Sequence, residues 1–249
     1  MRLPFAGPRQ LYLPLAGMIF VSSFSVISLC PPVRAAEVQL PRAPDTMAAR
    51  VLACASCHGA EGQGTKDEYI PRLAGKPSGY LLNQLVAFRD GRRKYQPMRH
   101  LLEYLPDAYL AKMADYYAAQ HPPLPAPAPD VASAELLARG ELLVRHGDPQ
   151  LNIPACSGCH GAEFTGQEPG IPGLLGLRAT YISAQLGAWR YGTRTALPPD
   201  CMQVVAGHLP ESDVQAVAAW LASHPAPANT APAPRGSLSM PMSCGSEPN

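Results

Sequence analysis

The sequence predicts an all-α protein built from two tandem copies of one domain. Three observations carry this: a block of about one hundred residues recurs, apolar residues within it repeat at helical spacing, and no stretch shows sustained strand alternation. Ile70-Pro71-Arg72-Leu73-Ala74-Gly75 aligns with Ile171-Pro172-Gly173-Leu174-Leu175-Gly176 at an offset of 101. The same offset relates Tyr80 to Tyr181, Gln84 to Gln185, Leu85 to Leu186, Phe88 to Trp189, Arg89 to Arg190 and Gly91 to Gly192. Further on, Leu105-Pro106-Asp107 matches Leu209-Pro210-Glu211 at an offset of 104. Duplication of one unit is the simplest explanation.

Within each copy, Leu81, Leu85 and Phe88, and their equivalents Ile182, Leu186 and Trp189, recur at spacings of four and three. They share one helix face. Leu110, Met113 and Tyr117 repeat the idea, as do Val214, Val217 and Leu221. Asp107 and Ser212 stand near the starts of these last helices, where acids and hydroxyls suit exposed amides. A unit with so few helices needs something large and apolar to pack around.

The 249 residues include 29 prolines, too many for regular elements alone. They cluster in His121-Pro122-Pro123-Leu124-Pro125-Ala126-Pro127-Ala128-Pro129, which reads as a semi-rigid linker, and in the Pro/Ala/Ser-rich residues after Pro225, expected to be disordered. Arg2 and Arg9, an apolar stretch from Leu11 to Cys30 and Val33-Arg34-Ala35 outline a secretory signal peptide cleaved after Ala35. An uncleaved membrane anchor is the competing reading, opposed by Pro14 and several serines. Leu29 before Cys30 argues against a lipoprotein signal. The expected organisation is therefore a signal peptide over 1–35, a first domain over 36–121, a linker over 122–132, a second domain over 133–225 and a tail over 226–249. The whole chain carries a formal charge of +1. Loss of Arg2, Arg9 and Arg34 and of no acid leaves 17 basic against 19 acidic residues, so the exported chain is mildly acidic and nucleic acid is excluded as a partner.

Cys54-Ala55-Ser56-Cys57-His58 and Cys156-Ser157-Gly158-Cys159-His160 occupy matching places in the two copies. This spacing lets two thiols add across the two vinyl groups of one porphyrin while the adjacent imidazole turns onto the iron. Two haem c groups follow, held covalently through Cys54 and Cys57 and through Cys156 and Cys159, with His58 and His160 as iron ligands. A zinc site would need two further ligands in each copy, and neither copy has a second Cys pair or a His-x-x-x-His. A redox-active dithiol expects a βαβ setting that a helical chain lacks.

The sixth ligand is expected before the last helix of each copy. Met98 stands 40 residues after His58, and Met202 stands 42 after His160. A thioether favours ferrous iron and raises the potential. His100 and Cys201 are nearby rivals. Cys201 and Cys244 could also form a disulfide in an oxidising compartment, a point the sequence leaves open. Pro71 and Pro172 lie 13 and 12 residues after the histidines, where a backbone carbonyl would accept the Nδ1 proton of the ligating ring; a simple turn proline fits the spacing equally well.

The ordered set of the Cys54–His58 motif, Ile70-Pro71-Arg72-Leu73-Ala74-Gly75, Tyr80-Leu81-Leu82-Asn83-Gln84-Leu85 and Phe88-Arg89-Asp90-Gly91-Arg92-Arg93, with its second-copy counterparts through Trp189-Arg190-Tyr191-Gly192-Thr193-Arg194, resembles the cytochrome c4 family of two-haem class I cytochromes c. The resemblance spans roughly residues 45 to 224. It implies two class I cytochrome c domains, His/Met ligation through Met98 and Met202, haems facing each other across the domain interface, and a periplasmic electron carrier serving a respiratory donor and a terminal oxidase. It also implies that Pro71 and Pro172 support the ligating histidines. The Pro-rich surroundings of Met202, Cys201 beside it and the long tail depart from the family pattern. Two other readings share the doubled motif: a two-haem peroxidase, which needs an open iron site, and the cytochrome subunit of a periplasmic dehydrogenase, which differs only in partner. A methionine candidate in both copies favours the carrier.

Overall fold

The computed structural model describes residues 44–65, 69–127 and 132–247, all within one compact unit that begins at Ala43. The expected signal peptide and Cys30 lie outside the described residues. Two helical sets follow one another. The first comprises α1 (Met47–Arg50), α2 (Leu52–His58), α3 (Ser78–Arg89), α4 (Gln96–Leu102) and α5 (Asp107–Ala118). The second comprises α6 (Ala134–His146), α7 (Ser157–His160), α8 (Ala179–Arg190), α9 (Cys201–His208) and α10 (Glu211–Ser223). Between α7 and α8 two short strands, β1 (Gly166–Gln167) and β2 (Ile171–Pro172), pair antiparallel, a small addition to the all-α reading.

Polar side chains cap several helices. Thr46 caps α1 by accepting from Ala49 N at 3.2 Å, Ser133 caps α6 by accepting from Leu136 N at 3.2 Å, and Asp200 caps α9 by accepting from Gln203 N at 3.1 Å. The predicted apolar faces form two separate cores. Leu81, Phe88, Leu110, Met113 and Tyr117 are buried together with Val51 and Leu102 in the first. Ile182, Leu186, Val214, Val217 and Leu221 are buried in the second, where α6 crosses α10. That crossing is close because Gly140 has no side chain; a Cβ there would overlap the Ala216 carbonyl and the Trp220 Cβ. Arg139 locks the same crossing by donating Nε and Nη2 to the two carboxylate oxygens of Asp213, at 2.9 and 2.6 Å, while Nη2 also reaches Asp148 at 3.0 Å.

The start of the linker is bound to the first helical set. Arg72, 8% exposed, donates to the carbonyls of Ala74, Pro122 and Pro123. The segment after Pro225, expected to be disordered, instead lies along the second helical set. Backbone hydrogen bonds tie Ala233 to Gly166 and Glu168, each at 2.9 Å, and Cys244 is disulfide-bonded to Cys201. Low apolar content misled the sequence reading here, because a covalent bond and a strip of backbone pairing replace the hydrophobic burial that such a tail lacks. Among the described residues no helix is long and apolar enough to cross a membrane.

Candidate haem sites

Each Cys-x-x-Cys-His ends a short helix, α2 at His58 and α7 at His160, and a glycine follows in the left-handed region, Gly59 at φ 83° and Gly161 at φ 84°. The reversal these glycines permit lets the chain return beneath the imidazole. Nδ1 of His58 donates to the Pro71 carbonyl at 2.9 Å, and Nδ1 of His160 donates to the Pro172 carbonyl at 2.8 Å. A carbonyl only accepts, so in this arrangement the hydrogen sits on Nδ1 and Nε2 keeps its lone pair. Both rings are 8% exposed. Burial holds both imidazoles below the ordinary histidine range, against the opposing pull of the proline carbonyls, so both are neutral and able to ligate.

In the second helical set Cys156, Cys159, His160 and Met202 line one cavity. Its walls are apolar, with Leu174, Ile182, Leu186, Val205, Val217 and Leu221 among them. Burial pushes the Cys156 thiol up to about 12 and raises those of Cys54 and Cys159. Sulfurs in such surroundings suit neutral thioethers and oppose the thiolates a zinc site would need. Among the described residues no group of three or more His, Cys, Asp or Glu side chains is arranged to hold a metal ion. In the first helical set His58 is buried, Cys57 is exposed, and Cys54 and Met98 both pack against the same core.

Met98 and Met202 stand on the short helices α4 and α9, before the last helix of each repeat, partly buried against their respective cores. Their rivals fall away for different reasons. The His100 side chain is 76% exposed and turned toward Glu103, and the Cys201 sulfur is spent on Cys244. One residue was missed: Met242, from the tail, lines the second cavity. No periodicity marks it, because its position depends on the disulfide two residues later.

A polar, cationic wall completes the second cavity. Lys76, Tyr80, Gln84, Tyr181, Gln185 and Arg194 line it, so the first helical set contributes to the site of the second. Arg93 and Arg194 are 9% and 4% exposed, and neither pairs with a carboxylate among the described residues. Arg194 stacks over the Trp189 ring at 3.7 Å and Arg93 over the Phe88 ring at 4.4 Å. Lys76 donates to the Gly173 carbonyl at 2.9 Å. Burial and the neighbouring Arg93 bring the Arg194 guanidinium down to about 10. Burial acts to raise the Tyr80 phenol, but Arg194, Arg93 and Lys76 outweigh it and bring the group to about 8. Trp189 Nε1 is buried without a hydrogen-bond acceptor among the described residues. An apolar cavity with attaching sulfurs and a free imidazole nitrogen, closed at one end by uncompensated cations and a spare N–H donor, fits an amphipathic metalloporphyrin carrying two carboxylates.

This helical fold and paired Cys-x-x-Cys-His geometry define a class I cytochrome c, a carrier of electrons on covalently bound haem c. The cytochrome c family model matches residues 48–120. A thiosulfate dehydrogenase electron acceptor from Thiomonas intermedia is 42% identical over 69% of this chain and 78% of its own length. Cytochrome c4 of Pseudomonas aeruginosa is 37% identical over 70% of this chain and 84% of its own. The crystal structure of reduced recombinant cytochrome c4 from Pseudomonas stutzeri superposes with a TM-score of 0.63 at 31% identity, covering 71% of this chain and 96% of that one. The chain belongs to the cytochrome c4 family, whose members are electron-transfer proteins and not enzymes.

Proposed function

We propose that the chain is an exported carrier holding two haem c groups, one in each repeat, that passes electrons from a periplasmic donor toward a terminal oxidase. Cys54 and Cys57 would attach the first haem and Cys156 and Cys159 the second. His58 with Met98, and His160 with Met202, would supply the axial ligands. The domains would be 36–121 and 133–225, after removal of a signal peptide over 1–35 and with 122–132 as linker. The observation that carries the reading is the repeated proline carbonyl: in both repeats it orients the imidazole and leaves Nε2 free, which a structural histidine would not require twice.

When bound, haem c supplies a one-electron iron couple. The residues of the chain set its conditions. The Nδ1–H bonds strengthen histidine donation, the thioethers favour the ferrous state, and the buried Arg93 and Arg194 oppose a gain of positive charge at the iron.

The test is visible and near-infrared spectroscopy of the oxidised holoprotein. Two low-spin haems with a methionine-to-iron charge-transfer band are expected, with part of that band lost in Met98→Ala and the remainder in Met202→Ala. Retention of the band in Met202→Ala with loss in Met242→Ala would move ligation to the tail. A high-spin haem in the wild type would support an open iron site and the peroxidase reading.

A second reading concerns the donor. The Thiomonas relative is described as the electron acceptor of a thiosulfate dehydrogenase, and its likeness extends over both repeats. A donor of that class would reduce this protein in the presence of thiosulfate. Failure of such an enzyme to reduce it, while another periplasmic dehydrogenase succeeds, would reject it.

A further inference from the structure

The proposed axial methionine of the second site stands directly beside a covalent anchor that the first site lacks. Cys201 opens α9 and Met202 follows it, whereas the residue before Met98 is Pro97. Through Cys201–Cys244 the C-terminal segment is joined to α9, and Gly245 N adds a hydrogen bond to the Pro199 carbonyl at 2.9 Å. A Cβ at Gly245 would overlap the Pro198 carbonyl, so the segment lies flush on the loop that leads into α9.

The same segment is also fastened on the histidine side. Ala233 bonds to Gly166 and Glu168 through its N–H and its carbonyl respectively. Leu238 N donates to Oε1 of Gln167 at 2.8 Å, and Gln167 is 2% exposed. These residues lie between His160 and the Pro172 carbonyl that receives its Nδ1 proton. Pro241 lies close over Gly158, inside the Cys156–Cys159 motif. Between the two fastenings Met242 forms part of the cavity wall, as do Cys244 at the second fastening and Ser246 just beyond it.

We propose that residues 225–247 are a disulfide-pinned strap across the second haem cavity that positions Met202 and keeps small ligands from displacing it. This rests on the haem and methionine reading given above. The chemistry is positional: α9 is a helix of 8 residues, too short to be rigid alone, and the Cys201–Cys244 bond ties its first turn to a segment anchored on the opposite wall. With the bond open, the strap would hold by the few non-covalent contacts just named, and the Met202 sulfur would exchange with solvent ligands.

Carbon monoxide binding to the ferrous holoprotein tests this, because CO binds haem iron only where the sixth ligand yields. Ascorbate reduces the irons and leaves disulfides intact. Dithiothreitol also opens Cys201–Cys244: its two thiols become a disulfide, and Cys201 and Cys244 each take up one electron and one proton. The ascorbate-reduced protein is expected to bind no CO, and the dithiothreitol-treated protein about one CO per chain, at the second haem. Cys244→Ser should match the treated protein without any dithiol, and should retain the first-haem share of the near-infrared band. If Cys244→Ser fails to accumulate, the dithiol comparison on the folded wild-type chain gives the same readout. Equal CO uptake with ascorbate and with dithiothreitol overturns the strap. Absence of the band in untreated protein would instead overturn the ligation reading on which it rests, so the two failures are distinguishable.

Discussion

Arg93 and Arg194 face each other across the two repeats, and each donates to both Gln84 and Gln185. Arg93 reaches Gln84 at 3.0 Å and Gln185 at 2.7 Å; Arg194 reaches Gln185 at 2.9 Å and Gln84 at 2.7 Å. The tyrosines follow the same exchange, Arg93 with Tyr181 at 2.9 Å and Arg194 with Tyr80 at 3.3 Å. The backbones are joined alongside, with Lys94 N donating to Thr193 O at 2.8 Å and Thr195 N to Arg92 O at 2.7 Å. The duplicated positions thus generate a near-symmetric contact in which two like charges are held close together. Such an arrangement is stable where negative charge compensates it, and the carboxylates of two haem groups would supply that charge.

Arg194→Gln removes one buried cation from the wall of the second cavity. Less positive charge near an iron stabilises its ferric form, so the potential of the second haem should fall by tens of millivolts. Spectroelectrochemical titration of variant and wild type checks the sign. A rise would show that Arg194 acts mainly by shielding the haem from water.

Gly140→Ala places a Cβ against the Ala216 carbonyl where α6 crosses α10. Those helices must separate or shift, at a cost of about 1–3 kcal/mol. A lower thermal midpoint of the holoprotein, with unchanged spectra of both haems, is expected from calorimetry and absorption measured together.

Arg139→Ala leaves Asp213, only 6% exposed, without the guanidinium that satisfies it. Because Arg139 is itself partly exposed, a loss of about 2 kcal/mol is expected rather than the full cost of a stranded buried charge. The hydrogen bond from Arg139 also holds the Asp148 carboxyl below the usual carboxylate range. A depressed carboxyl contributes stability above its unfolded pKa of about 3.9, and loses it as pH falls through its folded value. The gap between wild type and variant should therefore be widest near neutrality and narrow below about pH 4. Urea unfolding at several pH values measures it, and a constant gap would remove Asp148 from the account.

Chain made without haem attachment should lack a stable second repeat. The cavity walls include Leu186, Val217 and Leu221, which belong to the core itself. With nothing between them, these side chains lose contacts and gain water. Cys156→Ala with Cys159→Ala, expressed alongside wild type, should increase protease sensitivity within residues 133–225 while the first repeat retains its haem spectrum.

What is local was legible in the sequence. Cys54 to His58 and Cys156 to His160 carry the haem-attachment spacing in residues adjacent along the chain, and the Pro71 and Pro172 carbonyls lie within reach of the two imidazoles, as that spacing allowed. The helix faces were legible because burial imposes a period of 3.6 residues on the apolar positions. Arg89 and Arg190 show the limit. In the sequence they are only a matched pair of the repeat, whereas in the fold Arg89 donates to the Leu105 carbonyl and Arg190 to the Leu209 carbonyl, both at 3.0 Å, closing the turn after each methionine helix.

By itself, then, the sequence determined the duplication, the helical class, the attachment motifs and the family, since each is written in residues close along the chain or repeated at one offset. Tertiary structure alone decided that Cys201 pairs with Cys244, that the proline-rich tail lines the second cavity with Met242, and that two arginines 101 positions apart share the same two glutamines. Those outcomes depend on long-range closure, whose entropy is repaid only by contacts between segments far apart in the chain. No local pattern records such contacts, which is why the two repeats, so alike in sequence, end as unequal sites.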